Sequence, residues 1–453
     1  MSMHELLRKR AAANKPIRVG IIGAGRYGAM YVAQSKFIPG IQIVGVADLD
    51  LNKAKKSLID SGWAAEAIVS AESSGAINDA AKRNQIGLTS DAFKLIQAEV
   101  DVIVEITGTV DAASRHSWCA LEAKRHVVIV SVESVALVGL AMQKKAEENN
   151  VVYSFGYGDE PAALCELVDW ARTSGFEIGC VGKYSNYLPE HRYANPDNVW
   201  EVRKNFPKER IASAQLNAKM FSSFADCTKA LTEVCCAANA TLLSPPRGGM
   251  KFPTIEYEDL ATKLRPVSSG GILDYDETVE VPSTLYRDGT PTKRNLHWGV
   301  FLSMKAPSNY TASFMADFRY EHRIMADPEG KYAITYIPTH ILGLELNKSV
   351  ASAALLGLPT GCPKGFVADM VAVAKKDLRV GDELDGPGAY TTYGQLVRAD
   401  ESTKGKYLPA GLSERGKVIR PVAKDTILTY DDVELDKSSF SYKLRKDIEA
   451  GKY

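Results

Sequence analysis

Residues Arg18 to Val32 read RVGIIGAGRYGAMYV and place three glycines, Gly23, Gly25 and Gly28, within six positions. The stretch before them, Ile17 to Ile22, is rich in Ile and Val, as a parallel strand covered on both faces requires. Gly23 and Gly25 permit a tight turn that brings backbone N–H groups close to an anion, and Gly28 lets the following helix lie against the sheet. That helix begins near Arg26 and aims its positive end at the turn, where a pyrophosphate would sit. The glycines alone are weak evidence, but the context strengthens them. A second apolar strand, Ile41 to Ala47, ends at Asp48, 20 residues beyond Gly28. A carboxylate facing an adenosine ribose belongs at that place.

Further strands follow. Val100 to Ile106 runs into TGTVDAA, with Thr107 and Gly108 at the turn, and His126 to Ser131 runs into VES. Strand, turn and helix alternate, which predicts an α/β fold opening with a Rossmann domain over residues 1–160. The insert from Leu58 to Leu88 is expected to add a helix or two. The expected cofactor contacts are Gly23, Gly25, Arg26, Tyr27, Gly28, Asp48, Thr107 and Gly108. Asp48 favours a free ribose 2′-hydroxyl, whereas Arg26, Lys53, Lys55 and Lys56 would neutralise a 2′-phosphate. The residues themselves leave NADH and NADPH open.

With 453 residues the chain is too long for one core, and 45% hydrophobic with 24% charged residues fits a folded protein. The 55 basic and 55 acidic residues cancel, which argues against a nucleic-acid binder held by long-range charge. Seven cysteines show no CxxC spacing, so neither a zinc knuckle nor a disulfide framework is indicated. The start, MSMHELLRKRAAANKP, lacks the apolar core of a secretory signal, and no apolar run is long enough to span a bilayer. A cytoplasmic protein is expected, with no membrane partner.

The middle of the chain carries the candidate chemistry. Val151 to Phe155 reads as a last strand, followed by Gly156, Gly158, Asp159, Glu160 and a helix opened by Pro161. The two acids either stabilise that helix start or turn one carboxylate into a cleft. A strand from Phe176 to Gly182 delivers Lys183, which is solvated, protonates or polarises a carbonyl, or clamps a phosphate. From Asp226 a helical reading places Asp226, Lys229 and Glu233 at i, i+3 and i+7, on one face. They form either a polar pocket or a salt-bridged solvent face. Lys219, Ser222 and Ser223 just before them suit a phosphate. Residues 244–290, rich in Gly, Pro and Ser, suggest a lid. HWGVFLSMKAP and YTASFMADFRY, within 296–320, read as strands of an antiparallel sheet, with Arg319 at their end. These define a central α+β substrate domain, 161–336. Residues 337–370 read as a long helix returning toward the first domain, with His340 near its start as either a core imidazole or a donor to substrate. From 371 to 453 turn signals every few residues predict a small β-rich domain with no catalytic cluster.

In order, GIIGAGRYG, EITGTVDAA, GYGDEPAALCELVDWAR, VGKYSNY, SFADCTKALTEV, PTHILGLE and KKDLRVGDELDG resemble the homoserine-dehydrogenase-like oxidoreductases that carry a C-terminal SAF domain. Within them the chain is similar to the reductoisomerase-like branch acting on 1-deoxy-D-xylulose 5-phosphate. The resemblance covers nearly the whole chain. It implies NADPH as cofactor and a small phosphorylated ketose as substrate, rearranged and then reduced to 2-C-methyl-D-erythritol 4-phosphate, the first committed step of the methylerythritol phosphate isoprenoid pathway. It further implies a homodimer and a divalent cation, Mg or Mn, with Asp159, Glu160, Asp226 and Glu233 as candidate ligands. Under it Lys183 and Lys229 would polarise or protonate oxygen, and Asp226 and Glu233 would bind metal or shuttle protons. Lys219, Ser222, Ser223 and Arg319 would hold the phosphate, and His340 would donate to a hydroxyl. A homoserine-like or sugar/polyol dehydrogenase on the same frame is the alternative, and a non-catalytic nucleotide-binding scaffold the third reading.

Overall fold

Seven short apolar runs form one parallel sheet in the computed structural model, which describes residues 2–203 and 216–453. They are β1 (Ile17–Ile22), β2 (Ile41–Ala47), β3 (Ile68–Ser70), β4 (Ile86–Thr89), β5 (Val102–Glu105), β6 (His126–Ile129) and β7 (Tyr153–Phe155). Their order is β3-β4-β2-β1-β5-β6-β7. The direction of winding reverses at β1, between β2 and β5, and the carboxyl end of that strand is where such sheets place ligands. Ile17, Val19 and Ile21 are fully buried, as the Ile/Val run demands. The insert contributes the helix Ser74–Lys82 and also two strands, β3 and β4, beyond the helices expected.

The chain divides into two compact units, one of Met1–Ala162, Ile341–Lys364 and Ser439–Tyr453, the other of Ala163–His340 and Gly365–Ser438. In the first, Leu346, Val350 and Ala351 join the same apolar core as β1. The long helix expected over 337–370 is shorter. Its opening is strand, then irregular chain, then the helix Asn347–Ala351 continuing as a π-turn over Ser352–Leu356. The last helix, Phe440–Glu449, also belongs here rather than to a tail domain. Asp111 Oδ1 accepts from both the N–H (3.0 Å) and the hydroxyl (2.9 Å) of Ser441, pinning its first turn.

The second unit holds β8 (Glu177–Lys183), β9 (Thr278–Glu280), β10 (Val300–Lys305), β11 (Met325–Ala326) and β12 (Tyr332–Ile337) in the order β11-β12-β10-β8-β9. All pairs are antiparallel except β8 with β9. The segment YTASFMADFRY is not a strand but the helix Asn309–Tyr320, capped by Ser308, whose hydroxyl accepts from Thr311 N at 3.1 Å. Tyr310, Phe314 and Phe318 recur every fourth residue, a spacing that satisfies a helix face as readily as one side of a strand.

The tail supplies β13 (Ala368–Ala374), β14 (Glu383–Asp385), β15 (Thr392–Arg398), β16 (Glu414–Val418) and β17 (Val433–Glu434). β13 pairs with β15 and both pack on the helix Thr228–Thr241, so this β-rich part shares the core of the second unit. Every residue of that central helix is buried except half-buried Lys229. Asn239 fastens it: its Oδ1 accepts from Val367 N (2.8 Å) and Ala368 N (2.9 Å), and its Nδ2 donates to Ala368 O (3.0 Å). Asn239→Ala leaves these buried backbone groups unpaired and should lower the unfolding free energy by about 2–4 kcal/mol, read by chemical denaturation.

Candidate active site

In the first unit the glycine turn has the shape a diphosphate needs. Gly23 lies at φ 104°, and a Cβ there would sit 3.0 Å from the Ile106 backbone. A Cβ on Gly28 would approach Gly23 O to 2.6 Å, so only glycine lets the helix Arg26–Ser35 come this close. A Cβ on Gly25 would meet nothing within 4 Å, and the helix has neither a side-chain cap nor an acid in its first turn. No side chain caps the leading N–H groups at the positive end of this helix, and the residues present fit a dinucleotide.

Asp48 is tied to the glycine turn by its own carboxylate. Its Oδ2 accepts from Ala24 N at 2.7 Å and its Oδ1 from Asp50 N at 2.9 Å, so the carboxylate clamps the turn. Arg26, Lys53, Lys55 and Lys56 are exposed, and Lys56 pairs with Asp60 at 2.8 Å. Thr107 and Gly108 are held by a residue the sequence reading missed. Glu105, fully buried at the end of β5, accepts from Thr107 N (3.2 Å), Thr107 Oγ1 (2.5 Å) and Ser131 Oγ (2.6 Å). Ser131 Oγ in turn accepts from Gly108 N at 3.0 Å. Tyr27 turns inward. Burial, then the charges of Asp159, Glu160 and Glu345, push its phenol far above its ordinary range. Asp159 and Glu160 are themselves buried, at the start of the helix Glu160–Thr173.

In the second unit the geometry converges on two buried lysine–carboxylate pairs. Lys183, the last residue of β8, sits 2.5 Å from Glu233 Oε2 on the central helix, with 7% and 2% of each residue exposed. Asp226 holds Lys375 at 2.8 Å, and both side chains are almost wholly buried. Lys375 follows β13 directly and also donates to Ala194 O (2.5 Å) and Ala389 O (3.0 Å). Burial raises the Asp226 carboxyl, partly offset by Lys375. Cys227 lies among these groups. Burial pushes its thiol up to about 12, against the pull of Ser185 and Lys183, which disfavours the thiolate.

The i, i+3, i+7 face is corrected at one end. Asp226 caps the preceding helix Ala218–Ala225, and Cys227, at φ 68°, breaks the chain before the central helix starts at Thr228. Only Lys229 and Glu233 share its face, at i and i+4. Asp226 and Glu233 as cation ligands do not fit: each already holds an ammonium group, which would repel a divalent ion beside it. The expected phosphate set does not assemble. Lys219 Nζ donates to Asp385 O (2.7 Å) and pairs with Glu414 (3.1 Å), while Ser222 and Ser223 donate back to Ala218 O and Met220 O of their own helix. Arg319 is exposed on the helix Asn309–Tyr320. His340 Nδ1 lies 3.1 Å from Trp298 O, with the two rings edge to face at 5.9 Å.

Two family models match parts of the chain. Residues 19–155 match the NAD-binding domain of homoserine dehydrogenase, and residues 158–346 match the catalytic domain of the oxidoreductase DRL. No curated protein matches the chain. Among solved structures, apo scyllo-inositol dehydrogenase from Lactobacillus casei at 77K is 16% identical, with 38% of this chain and 46% of that one covered and a TM-score of 0.26. Myo-inositol dehydrogenase from Lactobacillus casei, in complex with NAD(H) and myo-inositol, is 17% identical over 41% of this chain and 52% of that one, TM-score 0.27. GenD2 from gentamicin A biosynthesis, in complex with NAD, is 11% identical over 76% and 88%, TM-score 0.37. The chain spans about half the length of the inositol dehydrogenases it matches. The two domain matches define the class, a nicotinamide-dependent oxidoreductase. No described helix is long and apolar enough to cross a membrane.

Because Asp48 clamps the turn, Asp48→Ala should weaken NADH and NADPH by similar factors, about tenfold or more, in fluorescence titrations. A loss confined to NADH would mean that the carboxylate reads the ribose instead.

Proposed function

We propose that the protein is an NADPH-dependent reductoisomerase converting 1-deoxy-D-xylulose 5-phosphate to 2-C-methyl-D-erythritol 4-phosphate. One observation carries the reading: the buried Lys183–Glu233 pair, inside the segment matched by the oxidoreductase DRL catalytic domain. The carbon skeleton rearranges by retro-aldol cleavage and aldol recombination, and the branched aldehyde is then reduced. The nicotinamide, when bound, supplies the hydride. Lys183 Nζ stabilises the oxygen that gains charge in the aldol steps and gives its proton to the alkoxide in the reduction. Glu233 keeps that lysine charged and aimed. Asp226 and Lys375 neutralise each other beside Cys227 and hold the start of the central helix in place.

Two features support NADPH over NADH. Both oxygens of Asp48 are engaged by backbone N–H groups, which tempers its repulsion of a 2′-phosphate, and Arg26 is exposed at the first helical turn. The homodimer and the SAF-like tail come with the resemblance and are part of this proposal.

A second reading, an NAD(P)-dependent homoserine-like or sugar/polyol dehydrogenase, is favoured by one finding. Lys219, Ser222 and Ser223 are committed elsewhere, as a substrate without phosphate would allow. The assay that separates the two follows NADPH oxidation with 1-deoxy-D-xylulose 5-phosphate and with its unphosphorylated form. The proposal expects turnover with the first alone. Lys183→Arg keeps a charge for Glu233 but removes a group that can release its proton. It should lower turnover on the order of 10²-fold or more at unchanged NADPH affinity, and turnover within fivefold of the parent would refute the role given to Lys183.

A further inference from the structure

A cavity of about 280 Å³ opens in the second unit, near the lower end for a small-molecule site. Its walls come from the loop after β8, the Asp226 corner, the chain from Met250 to Thr254, residues 283–287 and β15. Leu188, Leu231, Phe252 and Leu285 give it apolar surface. Its charged groups are unequal. Arg192, Lys251 and Arg287 are the cations, and Asp226 is the single acid.

Two of these four are already satisfied. Lys251 pairs with Asp274 at 2.6 Å, and Asp226 is neutralised by Lys375 at 2.8 Å. The two arginines make no ion pair among the described residues, although the Asp425 charge, held by Tyr393 and Tyr193, also acts on Arg192. Arg192 is positioned by aromatic neighbours, its guanidinium 5.7 Å above the Tyr393 ring and one Nη donating a long 3.4 Å bond to Tyr187. Its Nε is buried without a hydrogen-bond partner among the described residues. Arg287 is exposed at the rim and makes no hydrogen bond or ion pair among the described residues. Two guanidinium forks with unspent donors, on a cavity whose one acid is already countered, have the geometry and charge to receive a dianion. Gln395, Thr254 and Ser283 on the walls add polar groups suited to hydroxyls.

We propose that this cavity binds the phosphate end of a small phosphorylated sugar or polyol, with Arg192 and Arg287 as its anion clamp. The inference deepens the reductoisomerase reading, on which it rests for the choice of sugar phosphate. It also replaces the phosphate set that the sequence suggested around Lys219. The same chemistry would serve a substrate's own phosphate or a separate sugar-phosphate effector.

The test uses the full chain with NADPH bound, titrated calorimetrically with inorganic phosphate, 1-deoxy-D-xylulose 5-phosphate and unphosphorylated 1-deoxy-D-xylulose. Arg287→Met, at an exposed site, keeps the fold intact, and Arg192→Met provides a second variant. Each should weaken both phosphorylated probes by about tenfold or more, as loss of a charge-assisted contact predicts, and leave NADPH affinity unchanged. If the occupant is the substrate, inorganic phosphate competes with turnover and Arg287→Met raises KM. If it is an effector, phosphate binds without competing. Affinities within twofold of the parent in both variants would overturn the proposal. Phosphate binding that depends on the arginines, without turnover of the ketose phosphate, would sink the reductoisomerase reading and leave the cavity's assignment standing.

Discussion

A lysine and a glutamate, shut away from water at the end of β8, tie two elements of the second unit together. Burying either charge alone would cost several kcal/mol, and mutual contact with further hydrogen bonds is what makes the burial tolerable. Lys183 and Glu233 meet at 2.5 Å, and the second pair, Asp226 with Lys375, repeats the arrangement beside Cys227. The helix carrying Glu233 is therefore fixed from both sides. β8 grips it through one ion pair, and the tail grips its start through the other and its far turns through Asn239. The ammonium of Lys183 is consequently held in one place against the Glu233 carboxylate.

The first unit answers a different problem, that of presenting bare backbone donors to a phosphate. Glycine removes the side chains, but an empty turn would be loose. Asp48 takes up two backbone N–H groups around it, and Glu105 does the same for the neighbouring turn through Thr107 and Ser131. Both acids lie at strand ends, where their carboxylates reach the loops that matter. Neither has to touch a cofactor to shape the place where one fits.

Much of this was legible in the sequence because it is local. The strand Ile17–Ile22, its three glycines and the helix after them are encoded by neighbours within a dozen residues, as are the ends of β2 and β8. The strand reading of YTASFMADFRY failed because aromatics every fourth position suit both periods, and the Ser308 cap was the deciding sign. The misplaced Asp226 has another cause. Its spacing to Glu233 is helical, but Cys227 takes a left-handed conformation that little but glycine or asparagine advertises. Lys375 could be suspected only as a lysine ending an apolar strand, like Lys183, because its partner lies far off in the chain. The serines before Asp226 looked like phosphate ligands, yet within a helix such hydroxyls readily donate to the preceding turn.

A double-mutant cycle on Lys183 and Glu233, followed by chemical denaturation, bears most directly on the claim that the buried pair organises the site. Lys183→Met and Glu233→Leu should each cost about 3–5 kcal/mol, since each takes a countercharge from a buried charge, while the double variant should lie within about 1–2 kcal/mol of the parent. A double variant whose loss equals the sum of the two single losses would contradict the account, since the two side chains would then be independent.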